Sequence, residues 1–403
     1  MHRLRTALIG AVTTCLVLPL GVGSVAAAVD PDDVTVLADG LDNPRGLAFS
    51  RSGDLYVAQS GAGGDGPCFA GAEGPTCLGP TGAISKLQLG LDRHGHQHGD
   101  GSLVDVVTGL PSLGLAGTGD NAIGPSDVAF DSQGRLLATI GLGADPGIIA
   151  TDPGASGGGL GGSDLARQLA SVNWVDVEDG AVEKLADIAA FESAENPDQV
   201  FPDLGLIDTN PYAIAARGNK RVVADAGGNS LLQVDRDGSV DVLAVFESEA
   251  PVQNPFAPPG EMVRAQPVPN AVTPGPDGAF YVGQLTGFPF TTGTATVWRV
   301  KPGQAPTVYA DGFTHIIDLA FTDDGDLLVL EIARTSLFDV LILGSGDWTG
   351  ELIQVDRKTG QHTTLLTDPL FAPGGLAVRG DHAYIANRSI VAGEGEIIRV
   401  PLG

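Results

Sequence analysis

The sequence predicts an all-β fold, a six-bladed β-propeller of four-stranded antiparallel blades, and three observations carry that expectation. The first is the stretch 208–246, DTNPYAIAARGNKRVVADAGGNSLLQVDRDGSVDVLAVF, where four short apolar runs alternate with turns rich in Gly, Asn and Asp. That period suits strands joined by tight hairpins and does not suit helices. The second is repetition. One meander of this size cannot cover both its faces, so it needs copies of itself as neighbours. NPYAIAARGNKRVVAD (210–225) has them: NPRGLAFSRSGDLYVAQ (43–59), GPSDVAFDSQGRLLATI (124–140), VPNAVTPGPDGAFYVGQ (268–284), IIDLAFTDDGDLLVLE (316–331) and APGGLAVRGDHAYIAN (372–387). The third is a mismatch at the ends. The last copy stops after a strand at 395–400, while an orphan strand at 34–37 opens the chain behind its leader, and pairing the two closes the ring without a free sheet edge.

In chain order, residues 1–28 read as a secretory signal: His2, Arg3 and Arg5, an apolar run at 7–20, then Ala26-Ala27-Ala28 as a small-residue cleavage site. The run is too short to span a bilayer. Cys15 lacks the small residue expected before a lipoprotein cysteine, and there is no twin arginine, so the expectation is a released, monomeric, extracellular protein without a lipid anchor. Residues 29–403 exceed the usual ~150 per domain, but propellers grow by adding blades, so one domain is expected.

Each copy has an aliphatic residue at one slot (Leu47, Val128, Ile214, Val272, Leu319, Leu376), then a polar hairpin, then a β-rich run with a polar end. The hairpins 51–53, 132–134, 218–219, 276–278, 323–325 and 379–381 carry the Gly, Asn and Asp that tight turns need. Arg379-Gly380-Asp381 occupies one of these slots and reads as a turn, not an adhesion motif. Third strands are expected at 83–87, 295–300 and 351–355, and fourth strands at 103–107, 307–309 and 363–366. The long segments are 60–81, 141–169 with a short helix at 164–170 begun by Ser163, the proline-rich 247–267, 285–293 and 333–349. All fall between second and third strands or between blades, connections that open on one face of a propeller. Inserts gathered on one side of a rigid ring mark the functional face.

Lys and Arg total 22 against 49 Asp and Glu, a net charge of −27, and loss of the leader removes two of the arginines. Nucleic acid and anionic membrane surfaces need basic patches and are excluded as partners. A small molecule or an extracellular protein remains. Cys68 and Cys77 share one loop of an exported chain, so a disulfide between them is expected.

Candidate chemistry falls in four places. The second strands end at Gln59, Ile140, Asp225, Gln284, Glu331 and Asn387, so five of six positions bring a side-chain oxygen to the channel mouth. Such a ring suits a hard divalent cation such as calcium, or it accepts hydrogen bonds from inter-blade loops. Asp127 and Asp318 replace Gly46, Ala213, Ala271 and Gly375 at one slot, in opposite blades. They either face one another across the channel as a metal or acid/base pair or bond neighbouring backbone. Phe288, Phe290, Phe338 and Trp348 on the inserts offer an apolar ligand face or pack the inserts onto the ring. His94, His96 and His98 alternate in HGHQHGD as zinc or copper ligands would, in what reads as an exposed turn. GASGG at 154–158 mimics a nucleophile elbow without its strand-to-helix context and is set aside.

The runs VADAGGNSLLQVD (223–235), VGQLTGFPF (282–290), FTHIIDLAF (313–321) and VLEIA (329–333) resemble the ScyD/ScyE family of exported propeller proteins across essentially the whole mature chain. The resemblance implies fold and export more than chemistry. More distantly the chain is similar to NHL-repeat and lactonase-type six-bladed propellers, enzymes that bind a divalent metal at the channel mouth through Glu, Asn and Asp. By that resemblance Asp127, Asp225, Asp318, Glu331 and Asn387 could supply such ligands. The leading expectation is ligand or partner binding on the insert-bearing face, and the alternative is a metal-dependent hydrolase, lactonase or lyase at the channel mouth. A quinone-dependent dehydrogenase comes third, without a cofactor constellation to support it.

Overall fold

The computed structural model describes residues 28–71, 73–200, 206–247 and 251–402; of the expected leader, all but Ala28 lies outside them. The described chain is built from antiparallel sheets. In chain order the first holds Pro44–Phe49, Leu55–Gln59, Gly74–Leu87 and Leu103–Leu115, with Cys68–Gly71 as a fifth strand. The second holds Pro125–Phe130, Leu136–Ile140, Ser171–Val175 and Val182–Asp187, and the third Pro211–Arg217, Lys220–Asp225, Ser230–Val234 and Val240–Val245. The fourth holds Pro269–Pro274, Phe280–Gln284, Ala295–Val300 and Thr307–Phe313, and the fifth Ile316–Phe321, Leu327–Glu331, Glu351–Val355 and His362–Leu366. In the sixth, Gly375–Arg379, His382–Asn387 and Gly395–Pro401 are joined by Thr35–Leu41, with Thr35 opposite Arg399 and Leu41 opposite Gly395.

Burial grades outward along each sheet. Leu55–Gln59, Leu136–Ile140, Phe280–Gln284 and Leu327–Glu331 are buried at every position. Their near-continuous apolar sequence follows from having both faces covered. Outer strands such as Val240–Val245 and Thr307–Phe313 are largely exposed or half-buried. The core therefore lies between sheets rather than inside one, and each junction has its own contact. Tyr56 meets Phe130 at 5.0 Å between ring centroids, Phe246 meets Trp298 at 6.0 Å, Tyr281 meets Phe321 at 4.8 Å and Phe49 meets Tyr384 at 4.9 Å. Between the second and third sheets Arg135 and Arg221 lie over the Trp174 ring at 3.9 and 5.2 Å, and Leu330 and Ile385 share a cluster between the fifth and sixth.

The innermost strands touch one another in chain order, and Pro44–Phe49 also touches Gly375–Arg379. In the first five sheets the pairing of first and second strands slips by a β-bulge at the same place, after Pro44, Pro125, Pro211, Pro269 and Ile316. A bulge leaves a residue unpaired and re-aims its side chain; here those residues include Arg45, Ser126, Tyr212, Asn270 and Ile317.

Three local features depart from the sequence expectation. The helix expected at 164–170 is a single 3-10 turn, Ala166–Gln168. Ser163 does cap the Ala166 amide, but Leu169 is already extended and Ser171 begins a strand, so sheet pairing outcompetes a short helix. An α-helix forms instead at Ile188–Glu195, capped by the Asp187 side chain and ended by Asn196 in the left-handed region; Asp187, Asn196 and Pro197 are its sequence signals. The third and fourth strands of the first sheet run on to Gly74 and Leu115 as a long hairpin, and the Cys68–Cys77 disulfide joins its first arm to Cys68–Gly71.

That bridge staples an insert, so replacing both cysteines by serine is expected to leave the global urea midpoint nearly unchanged. The ~2–3 kcal/mol that chain entropy assigns to so short a loop then acts on local opening. Faster proteolysis within 60–81 is the readout, and unchanged cleavage together with a lower midpoint would place the bridge in the global core. No described helix is long and apolar enough to cross a membrane.

Candidate functional site

The polar ends of the second strands are fastened to backbone. Gln59 Oε1 accepts from the Asp42 amide at 3.0 Å, Glu331 Oε1 from Thr314 at 2.6 Å and Asn387 Oδ1 from Phe371 at 2.8 Å. Asp225 accepts from the Asn210 and Gly228 amides and, at 2.6 Å, from the Thr209 hydroxyl. Each therefore ties the end of one strand to the segment leading into its neighbour, a use common for turn-adjacent polar groups. Gln284 holds the same slot, fully buried, with neither amide atom bonded.

Asp127 and Asp318 do matching work two sheets at a time. Asp127 accepts from its own Val128 amide (2.7 Å) and from Ile214 of the third sheet (2.8 Å); Asp318 accepts from Leu319 (2.7 Å) and from Leu376 of the sixth (2.6 Å). Both line a cavity of about 330 Å3 bounded by all six innermost strands. Burial pushes Asp318 up to about 7, and burial followed by repulsion from Asp318 pushes Asp127 up as well. Around them stand groups that the repeat alignment did not single out. Burial first, with the charges of Asp318 and Asp127 after it and that of Arg45 opposing, pushes the Tyr212 hydroxyl up, and neither that hydroxyl nor Asn270 Nδ2 has a hydrogen-bond partner of good geometry. Arg45 donates to the Ala122 carbonyl at 3.0 Å. The signal that could have found them is their shared place one residue before the Asp127 slot.

Asp225 also belongs to a cluster of buried carboxyls beside the helix Ile188–Glu195. Burial first, then repulsion from Asp225 and Asp198, holds Glu192 up at about 8; burial likewise holds Asp198 and Asp208 at about 6. Asp198 accepts from Asn229 at 2.9 Å, and Asp208 Oδ1 is buried without a partner. The Asn196 amide, turned so that its nitrogen faces the acids, donates to Glu192 and Asp198 at 3.2 and 2.7 Å. Among the described residues no three His, Cys, Asp or Glu side chains are grouped closely enough to hold a metal ion between them. The histidine turn lies on the hairpin side, where Arg379 donates to the Leu91 and Asp92 carbonyls. His96 Nδ1 is 3.1 Å and His98 Nε2 3.8 Å from Asp92 Oδ2, while His94 Nε2 accepts from Arg93.

The inserts meet one another above the sheets. Phe69 bridges to Gly158, Ala144 to Thr209 and Thr349 to Phe371; Ser336 Oγ donates to the Phe290 carbonyl at 2.7 Å, and the Asn121 amide donates to Ile390. Within this cap Phe256 of the proline-rich insert meets Phe288 and Phe338, and Phe288 in turn meets Phe290. Phe256 stacks on Phe288 at 5.7 Å and meets Phe338 at 5.3 Å, with Phe288 to Phe338 at 6.0 Å and to Phe290 at 6.5 Å. Phe288, Phe290 and Phe338 are half-buried, while Phe256 is 68% exposed, and Ile342 and Leu343 of the insert 333–349 are exposed as well. Trp348 is half-buried and packs on the cluster between the fifth and sixth sheets. Phe256 was missed because an isolated phenylalanine among prolines has no periodicity to flag it.

No family model matches the chain, and no curated protein matches it. Solved structures do. A protein of unknown function from Bacteroides thetaiotaomicron aligns at TM-score 0.50 and 10% identity, over 91% of this chain and 75% of its own. A gluconolactonase from Xanthomonas campestris aligns at TM-score 0.49 and 12% identity, over 92% and 89%. A virginiamycin B lyase from Staphylococcus aureus aligns at 0.46 and 12%, over 92% and 98%. At such identities the likeness concerns fold alone; that the chain is all-β and of propeller type rests on its own four-stranded antiparallel sheets and the mutual contact of their innermost strands.

Proposed function

We propose that this chain is an exported, ScyD/ScyE-like propeller whose six sheets form a ring closed by Thr35–Leu41, and that its insert-bearing face binds an apolar, ring-bearing small molecule. One observation carries the binding reading: the aromatic group of Phe256, Phe288, Phe290 and Phe338, solvent-facing at Phe256 in a chain whose other large apolar side chains are mostly sheltered. Phenylalanine faces and edges recognise flat apolar rings by offset and edge-on contact, at about 0.5–1.5 kcal/mol per pair beyond burial. Pairing of Thr35–Leu41 with Gly395–Pro401 supports closure, and the apolar leader supports export.

Titration with the uncharged dye nile red tests the face. Phe256→Ala and Phe338→Ala are each expected to weaken binding about tenfold, or roughly 1.4 kcal/mol, with folding intact by circular dichroism. Equal affinity in both variants and the parent would remove the reading. The alternative, a metal-dependent hydrolase or lyase at the channel mouth, has its support in the raised carboxylates beside Asp225. Calcium calorimetry on Asp225→Asn and Glu331→Gln decides it: unchanged heats in both exclude these acids as metal ligands.

A further inference from the structure

Resting on that reading of the insert-bearing face, we propose that His315 is an acid-triggered switch for it: a neutral imidazole that clamps the two aromatic inserts together and releases them when it takes a second proton.

His315 is fully buried and precedes the innermost strand of the fifth sheet. Its Nδ1 lies 2.9 Å from the Leu285 carbonyl, so that nitrogen carries the hydrogen and donates it. Its Nε2 accepts from the Leu337 amide at 3.2 Å and must be bare. The ring thus spans the insert 285–293, which bears Phe288 and Phe290, and the insert 333–349, which bears Phe338. Phe290 meets the imidazole edge-on at 6.1 Å. A proton on Nε2 would set N–H against N–H at a fully buried ring, and the bond it breaks is the one holding the start of the helix Leu337–Leu341. Burial, the larger influence, disfavours the charged ring, and the Leu285 and Phe290 carbonyls only partly oppose it.

The same position in other sheets performs the same task without titrating. Asn43 donates to the Gly61 and Gly119 carbonyls, and Asn210 accepts from the Leu142 amide. The slot is thus a clamp in the first, third and fifth sheets, while Gly124, Val268 and Ala372 fill it in the others, and of the three clamps only His315 can take up a proton. The clamp is also poised. His315, Thr286 and Phe290 all have left-handed backbone, with φ of 53°, 65° and 57°, a conformation that non-glycine residues hold at a cost.

Other titratable groups around the ring are few. Insert 285–293 has none, and insert 333–349 carries Arg334, Asp339 and Asp347. From the strands, Asp318 is bound to its two amides and Glu331 to Thr314 next to the histidine, with Arg334 and Glu351 beyond it. Among the described residues none of them forms an ion pair with His315.

Hydrogen exchange of the full mature protein at pH 7.5 and pH 5.0, corrected for intrinsic chemistry, reads the switch directly. Segments 285–293 and 333–349 are expected to exchange at least tenfold faster in acid, and nile red to bind at least fivefold more weakly. His315→Gln keeps a donor for Leu285 and an acceptor for Leu337 but cannot gain charge, so it should lose the pH dependence; Glu331→Gln should keep it. The proposal is overturned if the parent shows no acid loosening of these segments, or if His315→Gln loosens as the parent does. Should His315→Gln fail to fold, imidazole 15N shifts of the parent serve instead: a neutral Nδ1–H tautomer at pH 7.5 that protonates in step with the exchange supports the switch, and any other state at pH 7.5 overturns it. Exchange needs no ligand, so failure of nile red to bind at either pH would remove the proposed function while leaving the clamp to be judged on its own.

Discussion

Replacing Gly46 by valine is expected to be the most damaging single change among the innermost strands. A Cβ at that position would lie 1.9 Å from Asp127 Oδ1 and 2.7 Å from the Asp127 Cα, and the second of these is main chain that cannot swing away. The aspartate would have to leave, and with it the acceptor of the Val128 and Ile214 amides, which sit in a core of covered sheet faces. Two buried donors left unbonded at ~1–3 kcal/mol each, plus displacement of the strand, give a loss of about 3–5 kcal/mol. Urea unfolding measures it. A loss under about 1 kcal/mol would mean that the first and second sheets part there without consequence, and the account of Asp127 as a strap between sheets would fall. Gly375 is under the same constraint on the other side, where an added Cβ would meet the Arg45 carbonyl at 2.3 Å.

The second large effect is on pH. Glu192 and Glu331 are held up at about 8, Asp318 at about 7, and Asp198 and Asp208 at about 6, chiefly by burial. In the unfolded chain each returns to the ordinary range near 4. Between those limits the folded protein binds more protons than the unfolded one, so this contribution is complete only below about pH 4, declines from there upward and is used up once pH has passed through the folded values of about 6 to 8. With discount for the groups that solvent reaches, stability should fall by about 2–4 kcal/mol from pH 6 to pH 9. His315 acts in the opposite sense, since a depressed histidine stabilises the fold above its ordinary value and forfeits that as pH drops below about 6.5. Five raised carboxyls outweigh the one histidine, so the net slope of the stability curve should be downward from about pH 5 to pH 8. Denaturant unfolding across the range tests it, and Glu192→Gln combined with Glu331→Gln should flatten the alkaline limb; an unchanged limb would locate the effect in the surface charge of a −27 chain instead.

The alternation in 208–246, the six copies and the hairpin residues made the strands legible, because a sheet buried on both faces imposes a pattern that survives in a single sequence. The Asp127 and Asp318 slot was legible for the same reason: alignment of copies shows which position departs from Gly and Ala. Asp225, Gln284, Glu331 and Asn387 were legible as a set of strand ends but not in their use. Whether an oxygen faces an ion or an amide depends on where the neighbouring loop returns, and Thr314 and Phe371 occupy that place here. The helix Ile188–Glu195 was hidden by its shortness, although its caps are written in the chain.

By itself, then, the order of residues determined the strands, their repetition, the partner of the orphan strand and the single disulfide, since these depend on local period and on pairs that recur. Folding alone decided the gathering of Phe256 with Phe288, Phe290 and Phe338, the enclosure of Glu192 beside Asp225, and the two-sided grip of His315. Those contacts join inserts of different sheets, unlike in length and composition, and no periodicity records which insert comes to rest upon which.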